Sequence, residues 1–309
     1  MEAPREIQQA FLLGAGLGNR LQPLTSRLPK PLVPLFHRPL ISWAMRACAQ
    51  QSINRFAINT HHLPTCWNEE ILQSSFPELE KATISWFHEP ILLETGGGLK
   101  NIRSWIENRP TLVHNGDIFS TIALDRLIQA HHRNGMLATL ALRSSGDAKH
   151  IAINEDGSQV LDIRNSLGRA NGTHVFTGIY CVQPEMLDFI PAEDVVSVIP
   201  AFLKLAEKGL LGCITLDDGF WRDLGDFDSY LTAHRELSLD SAIHPRAIIH
   251  PLAHVENSVV GPGAVIAEGA RINSSVIWEN TTIGSNAELD TCIVYSNKII
   301  DGAHHRQCL

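Results

Sequence analysis

Two rhythms of apolar residues divide this chain. Up to about residue 238, short apolar runs alternate with longer stretches in which apolar side chains return every three or four positions. The runs predict strands over 11–14, 55–60, 82–87, 111–115, 137–142 and 174–182; the longer periods predict helices over 40–50, 98–107, 123–134, 198–208 and 227–237. In the last of these, Phe227, Tyr230, Leu231, His234 and Leu237 are spaced for a single helical face. Strand and helix in alternation predict an α/β fold: a Rossmann-like three-layer domain over 1–238, with a mostly parallel sheet between helices. Such sheets bind ligands at the carboxyl ends of their strands.

Beyond Ser238 the rhythm becomes one of about six. Ser258-Val259-Val260, Ser275-Val276-Ile277 and Cys292-Ile293-Val294 recur every 17 residues. Aliphatic side chains step by six, six and five: Ile243, Ile249, Val255; Val260, Ile266, Ile272; Ile277, Ile283, Leu289; then Val294 and Ile300. One inward side chain per short flat strand, three strands to a coil, accounts for that step. The pattern resembles the hexapeptide repeat of left-handed parallel β-helices and predicts a second domain over 243–309, of about four coils. An irregular β-meander is the alternative.

Composition narrows the partners. The 309 residues are 44% hydrophobic and 19% charged, with a net charge of −8. No basic stripe is visible, so nucleic acid is not expected as a partner. The longest apolar runs, such as Ala10-Phe11-Leu12-Leu13, are too short to span a bilayer, so no membrane partner is expected. The start, Met1 to Glu6, mixes charges and lacks the apolar stretch of a signal peptide. The six cysteines form no CxxC pair, which suggests neither zinc nor a disulfide frame. A cytoplasmic location is expected.

The chemistry is concentrated in a few segments. Leu13, Gly14, Ala15, Gly16, Gly18 and Asn19 follow the first apolar run, and glycines there let backbone N–H groups approach phosphate oxygens. The dinucleotide fingerprint is excluded by Asn19 where a third glycine is needed, and a P-loop by the lack of a closing Gly-Lys-Ser/Thr. Arg20 is suited to bidentate phosphate binding, and Pro29-Lys30-Pro31 mounts a lysine between two prolines. An acidic chain that binds polyphosphate needs such placed cations and a metal. Asp117 ends the apolar run that begins at Thr111, and Asp223 precedes the predicted helix at 227. Two carboxylates with substrate phosphate oxygens suit Mg2+.

Gly14 to Arg20, Pro23, Thr25 and Pro29-Lys30-Pro31 resemble the N-terminal motif G-x-G-x-x-R-L-x-P-x-T, then P-K-P, of the NDP-sugar pyrophosphorylases, the sugar-1-phosphate nucleotidyltransferases. The resemblance covers about residues 8 to 237, and a β-helix tail is common in that family. It implies that a nucleoside triphosphate and a sugar 1-phosphate react with Mg2+ to give an NDP-sugar and pyrophosphate. It implies that Gly14 and Gly16 cradle the nucleotide, with Leu13, Ala15, Gly18, Asn19 and Gly97 beside it. Arg20 is then the group that positions pyrophosphate, Lys30 a phosphate contact, and Asp117 and Asp223 the metal ligands. Glu94, Asn115, Arg164, Thr177 and Gly178 are the candidate sugar contacts. Glu94-Thr95-Gly96-Gly97-Gly98 resembles the N-acetylmuramate-1-phosphate uridylyltransferase branch, and also members grouped with mannose-1-phosphate guanylyltransferases. UTP with N-acetylmuramate 1-phosphate is the first expectation, and GTP with mannose 1-phosphate the second.

Departures from the family pattern gather at the sugar end. Asp162-Ile163-Arg164 stands where many members have Glu-Lys-Pro, and Lys149-His150 where many have an aromatic residue and glycine. The paired histidines, such as His61-His62 and His131-His132, are read as surface or satisfied polar residues, because neighbours diverge. Two other functions are alternatives: an acyltransferase built on the tail, and a catalytically silent regulatory or scaffold relative. The tail is expected to join copies of the chain into a homo-oligomer.

Overall fold

The computed structural model describes residues 6–309; the charged start at Met1 to Arg5 lies outside them. Seven strands form the main sheet: β1 Gln9–Leu13, β2 Arg55–Thr60, β3 Thr83–His88, β4 Thr111–Asn115, β5 Ala138–Arg143, β6 Val175–Val182 and β7 Leu211–Thr215. Their order across the sheet is β7-β5-β6-β4-β1-β2-β3. The run β4-β1-β2-β3 is parallel throughout, and β7 is parallel to β5. Only β6 runs against its neighbours, β4 and β5. The sheet is thus mostly parallel, as the alternation of strand and helix implied.

Ala10, Phe11 and Leu12 are all fully buried, so β1 has no polar face. That is the pattern of a sheet covered on both sides, and it explains why the strands read as continuous apolar runs. Phe11, Ala57, Val113, Leu140 and Tyr180 share one core cluster with Leu99, Ile102, Trp105, Phe202 and Leu205. The helices Glu94–Asn101, Arg103–Ile106 and Ile199–Glu207, with Ile102 at the break between the first two, supply that second set. Tyr180 and Phe202 meet edge to face, with centroids 5.2 Å apart, the favoured aromatic geometry.

Three differences from the sequence reading have local causes. β7 is not among the expected strands, because Gly212 interrupts its apolar run. A Cβ there would fall 2.5 Å from Asn134 Nδ2, so close packing on the helix Leu124–Asn134 requires the glycine. The antiparallel pair Ile151–Ile153 and Val160–Ile163 is likewise too short to announce itself. The expected helix over 98–107 starts instead at Glu94 and breaks at Ile102, so the three glycines lie inside its first turns.

By contacts the chain forms two compact units. One holds residues up to Leu17 with Ile41–Trp221; the other holds Gly18–Leu40 with Arg222–Leu309. The segment 18–40, assigned from sequence to the first domain, thus joins the unit that contains the tail. The helix Phe227–Glu236 belongs to the same unit and buries Tyr230, Leu231 and His234 from its expected apolar face.

The tail is built of three parallel ladders. Ile248 pairs with Val265, Val265 with Thr282, and Thr282 with Ile299, each 17 positions on. The second ladder begins at His254 and the third at Val259, with the same offset. At the end Glu288 pairs with Ala303, an offset of 15, so the last period is two residues short. The inward residues Val260, Ile266, Ile272, Ile277, Ile283, Leu289 and Val294 are at most 1% exposed and form one core. Each contributes ~1.5–3 kcal/mol by burial. The recurring Ser-Val-Val motif has a further cause. Ser258 Oγ accepts the Ser275 N–H at 3.0 Å, and Ser275 Oγ accepts the Cys292 N–H at 2.9 Å. Asn257, Ser274 and Thr291, also 17 apart, take positive φ at the corner before each motif.

Candidate active site

The carboxyl ends of β1, β2, β3 and β4 bring several polar groups of the first unit together. The Gly14 N–H donates to Asn59 Oδ1 at 2.7 Å, at the end of β2. Asn59 Nδ2 donates to Glu89 Oε1 at 2.7 Å, just past β3, and Glu89 Oε2 accepts the Leu93 N–H at 3.0 Å. Glu89 is fully buried. A buried carboxylate needs partners, and here they tie the glycine-rich loop to the turn that precedes Glu94. Sequence reasoning missed both Asn59 and Glu89. The rule that ligands gather at the carboxyl ends of parallel strands gave the signal for Asn59.

The glycines of the first loop do different jobs. A Cβ on Gly14 would fall 2.7 Å from the Asn59 carbonyl oxygen and 2.7 Å from the Trp67 ring, so packing alone demands glycine. A Cβ on Gly16 would meet nothing within 4 Å. Gly16 therefore leaves open space on an exposed loop, the property a ligand needs. Leu13 is half-buried, with its carbonyl accepting the Gly116 N–H at 2.9 Å; Ala15 is buried. Gly116 leads to Asp117, which is half-buried beyond the end of β4. His114, on β4, is buried, and desolvation lowers its pKa to about 4 despite the hydrogen bond to the Asn115 carbonyl and the nearby Asp117 charge.

In the second unit the two expected cations meet one carboxylate. Arg20 Nη2 donates to Asp223 Oδ2 at 2.9 Å, and Lys30 Nζ to Asp223 Oδ1 at 2.8 Å. The Lys30 side chain is 6% exposed and the Arg20 side chain 67%, so one cation is a fixed charge and the other reaches outward. Pro29 and Pro31 frame a short 3-10 turn, Lys30–Leu32, that leaves Lys30 little freedom. Gly18 has φ +65° and lies against Thr25, whose hydroxyl donates to the Gly18 carbonyl at 3.0 Å. Asn19 is exposed next to Arg20. A Cβ on Gly225 would fall 2.5 Å from Arg20 Nη2, so glycine there makes room for the guanidinium.

The expected sugar contacts separate into two groups. Asn115 and Gly178 come together: Gly178 has φ +75°, and a Cβ on it would fall 2.6 Å from Asn115 Nδ2. Glu94 and Arg164 are both exposed at positive φ, 59° and 57°, which is uncommon for side chains of that size. Thr177 lies in the interior. It is fully buried, its hydroxyl donates to the Ala141 carbonyl at 2.7 Å, and its carbonyl accepts the Trp221 indole N–H at 2.8 Å. Gly97 is interior as well. Its N–H and that of Gly96 donate to the Val196 carbonyl at 2.9 and 2.8 Å, and a Cβ on Gly97 would fall 2.2 Å from the Asp194 carbonyl oxygen. The first-turn amides of this helix are thus taken by the chain at 194–197. Asp162 is buried and accepts the N–H groups of Ile163, Leu167 and Arg169, which makes it the organiser of its own loop.

Comparison with known proteins agrees with this fold. The chain is 27% identical over 241 residues to a mannose-1-phosphate guanylyltransferase of Mycobacterium tuberculosis, covering 76% of this chain and 66% of the relative. It is 24% identical to a UTP–glucose-1-phosphate uridylyltransferase of Synechocystis, covering 74% of this chain and 62% of the relative. This chain thus spans slightly under two thirds of the length of these two relatives. A solved UDP-glucose pyrophosphorylase complexed with UDP-glucose superposes with a TM-score of 0.61 at 18% identity, over 74% of this chain and 97% of that one, a likeness of fold. No helix among the described residues is long and apolar enough to cross a membrane. The GMPPB C-terminal domain matches residues 238–306, and the nucleotidyl transferase family matches residues 9–239. The chain belongs to the nucleotidyl transferase family.

Proposed function

We propose that this chain transfers a nucleotidyl group from a nucleoside triphosphate to a sugar 1-phosphate and releases pyrophosphate. The observation that carries this reading is the Asp223 carboxylate, which holds Arg20 on one oxygen and Lys30 on the other. A phosphate group matches a carboxylate in charge and in acceptor geometry, so an incoming triphosphate can take over both cations. An oxygen of the sugar 1-phosphate attacks the α-phosphorus in line; the bond from that phosphorus to the bridging oxygen breaks, and pyrophosphate departs with the electron pair. The attacking group is already anionic, so no protein nucleophile is required. Arg20 and Lys30 then act by positioning and by neutralising charge on the departing phosphates.

By the family resemblance, Asp117 in one unit and Asp223 in the other are the candidates to hold Mg2+. Two carboxylates plus phosphate oxygens are a set this ion accepts. Bound there, Mg2+ would supply further charge neutralisation on the phosphates. Gly16 offers the open backbone for the nucleotide, and Asn115 and Gly178 the polar corner for the sugar.

For the substrate pair, GTP with mannose 1-phosphate is supported by the names of most relatives and by the type of the tail. UTP with N-acetylmuramate 1-phosphate is supported by Glu94-Thr95-Gly96-Gly97-Gly98. We take the tail to be a closed left-handed β-helix, and we expect it to join copies into a homo-oligomer. A matrix of nucleoside triphosphates against sugar 1-phosphates, scored by pyrophosphate, tests the function. Release with one pair supports it, and silence across the matrix would favour a scaffold role.

A further inference from the structure

We propose that the tail is the mounting for the segment that carries Arg20 and Lys30, and that Tyr230 and Arg27 are positioning residues for those two cations. The proposal rests on the reading of Arg20 and Lys30 as phosphate-binding groups. Between Gly18 and Leu40 the chain has no long regular element before the helix at Leu40; short 3-10 turns at Asn19–Leu21, Leu24–Ser26 and Lys30–Leu32 follow one another. The two prolines stiffen the turn at Lys30 locally, but the turns make few bonds to one another, so ties outside the segment set where the whole stretch sits.

The ties run to the chain beyond residue 222, inside one compact unit. The Tyr230 hydroxyl donates to the Pro34 carbonyl at 2.6 Å and accepts the Trp278 indole N–H at 3.1 Å. Tyr230 is 1% exposed and Trp278 5%. One buried hydroxyl therefore links the backbone four residues past Lys30 to the tail. On the other side of Lys30, Arg27 donates from Nη1 to the Tyr295 carbonyl and from Nη2 to Asn297 Oδ1 at 3.1 Å. The Phe36 N–H donates to His234 Nε2 at 3.0 Å, His37 Nε2 lies 2.7 Å from the Ser241 carbonyl, and Arg38 pairs with Asp240. Lys30 is thus bracketed by ties at Arg27 and at Pro34, and both end on the tail's third and fourth periods. Packing transmits such a constraint because neither end is free to yield.

The test uses the full chain. Tyr230→Phe removes the bridging hydroxyl and keeps the ring; Arg27→Gln removes an exposed tie whose loss leaves the core intact. In both, amide hydrogen exchange across 18–40 is expected to quicken. Turnover is expected to fall roughly tenfold or more, since a misplacement on the order of 1 Å costs up to about 10²-fold. KM for the sugar phosphate should change far less, and turnover corrected for the folded fraction, read from the melting curve, should still fall, which a general loss of stability would not give. Arg27→Lys, which keeps one donor, should recover part of the loss. Unchanged exchange, or faster exchange with unchanged turnover, overturns the mounting. Arg20→Ala is measured alongside: if it keeps full turnover, the reading of the cations fails, and the mounting is judged by exchange alone.

Discussion

Gly14 and Gly16 look alike in the sequence and are opposites in the structure. Gly14 is boxed in by the Asn59 carbonyl and Trp67, so Gly14→Ala should lower stability by about 1–3 kcal/mol, read from urea unfolding. Gly16→Ala meets open space and should leave stability unchanged or raise it by up to ~1 kcal/mol, while raising KM for the nucleotide. If Gly16→Ala binds nucleotide as well as the parent, the open backbone has no role in binding. At the same scale, Arg20→Ala and Asp117→Asn should each cut turnover on the order of 10²–10³-fold, with the melting temperature preserved. Near-parental rates in either would remove that residue from the mechanism. That Arg20, Lys30 and Asp223 are charged groups worth following was legible because they stand in short motifs; that Gly14 serves packing was not. Asn59 and Glu89 were not, because what matters is a hydrogen bond between strands 30 residues apart in sequence.

At the level of elements, the six-step aliphatic rhythm located the tail strands, since each inward side chain marks one strand. It did not reveal why serine precedes Val259 and Val276. Ser275 accepts one N–H and donates to the Asn273 carbonyl at 2.7 Å, so it satisfies two backbone groups inside the tail. Ser275→Ala leaves the buried Cys292 N–H unpaired and should cost about 1–3 kcal/mol. Faster exchange of the Cys292 amide would report it directly; protection equal to the parent would show the ladder to be dispensable. The glycine run at 96–98 taught the reverse lesson. It signals close approach, but the close neighbour is the chain's own 194–197 segment, which no local pattern announces.

At the scale of the whole molecule, three histidines are buried among the described residues. Desolvation by burial lowers His114, His131 and His234 from 6.5 to about 4 each. His234 shows why the neutral form is required: Nδ1 donates to the Tyr230 carbonyl while Nε2 accepts the Phe36 N–H. Below pH 6.5 the unfolded chain takes up protons that the folded chain refuses until about pH 4. Stability is therefore full above 6.5 and falls as pH drops through that window. Melting temperatures at pH 7.5, 6 and 5 should decline in that order, and a flat profile would show that these imidazoles are reached by water. Light scattering tests assembly through the tail, for which a single-chain mass at micromolar concentration is the contrary outcome.

The sequence by itself determined the periodic features: the parallel strands, the helical face at Phe227 to His234, the 17-residue tail, and the cations and acids that stand in short motifs. These depend on spacing along the chain, which is what a sequence records. The tertiary structure decided which glycines serve packing and which leave space, that Thr177 and Gly97 are interior, and that segment 18–40 belongs with the tail. Those facts depend on atoms brought within a few ångströms by folding from positions far apart in the chain, and no local rhythm encodes them.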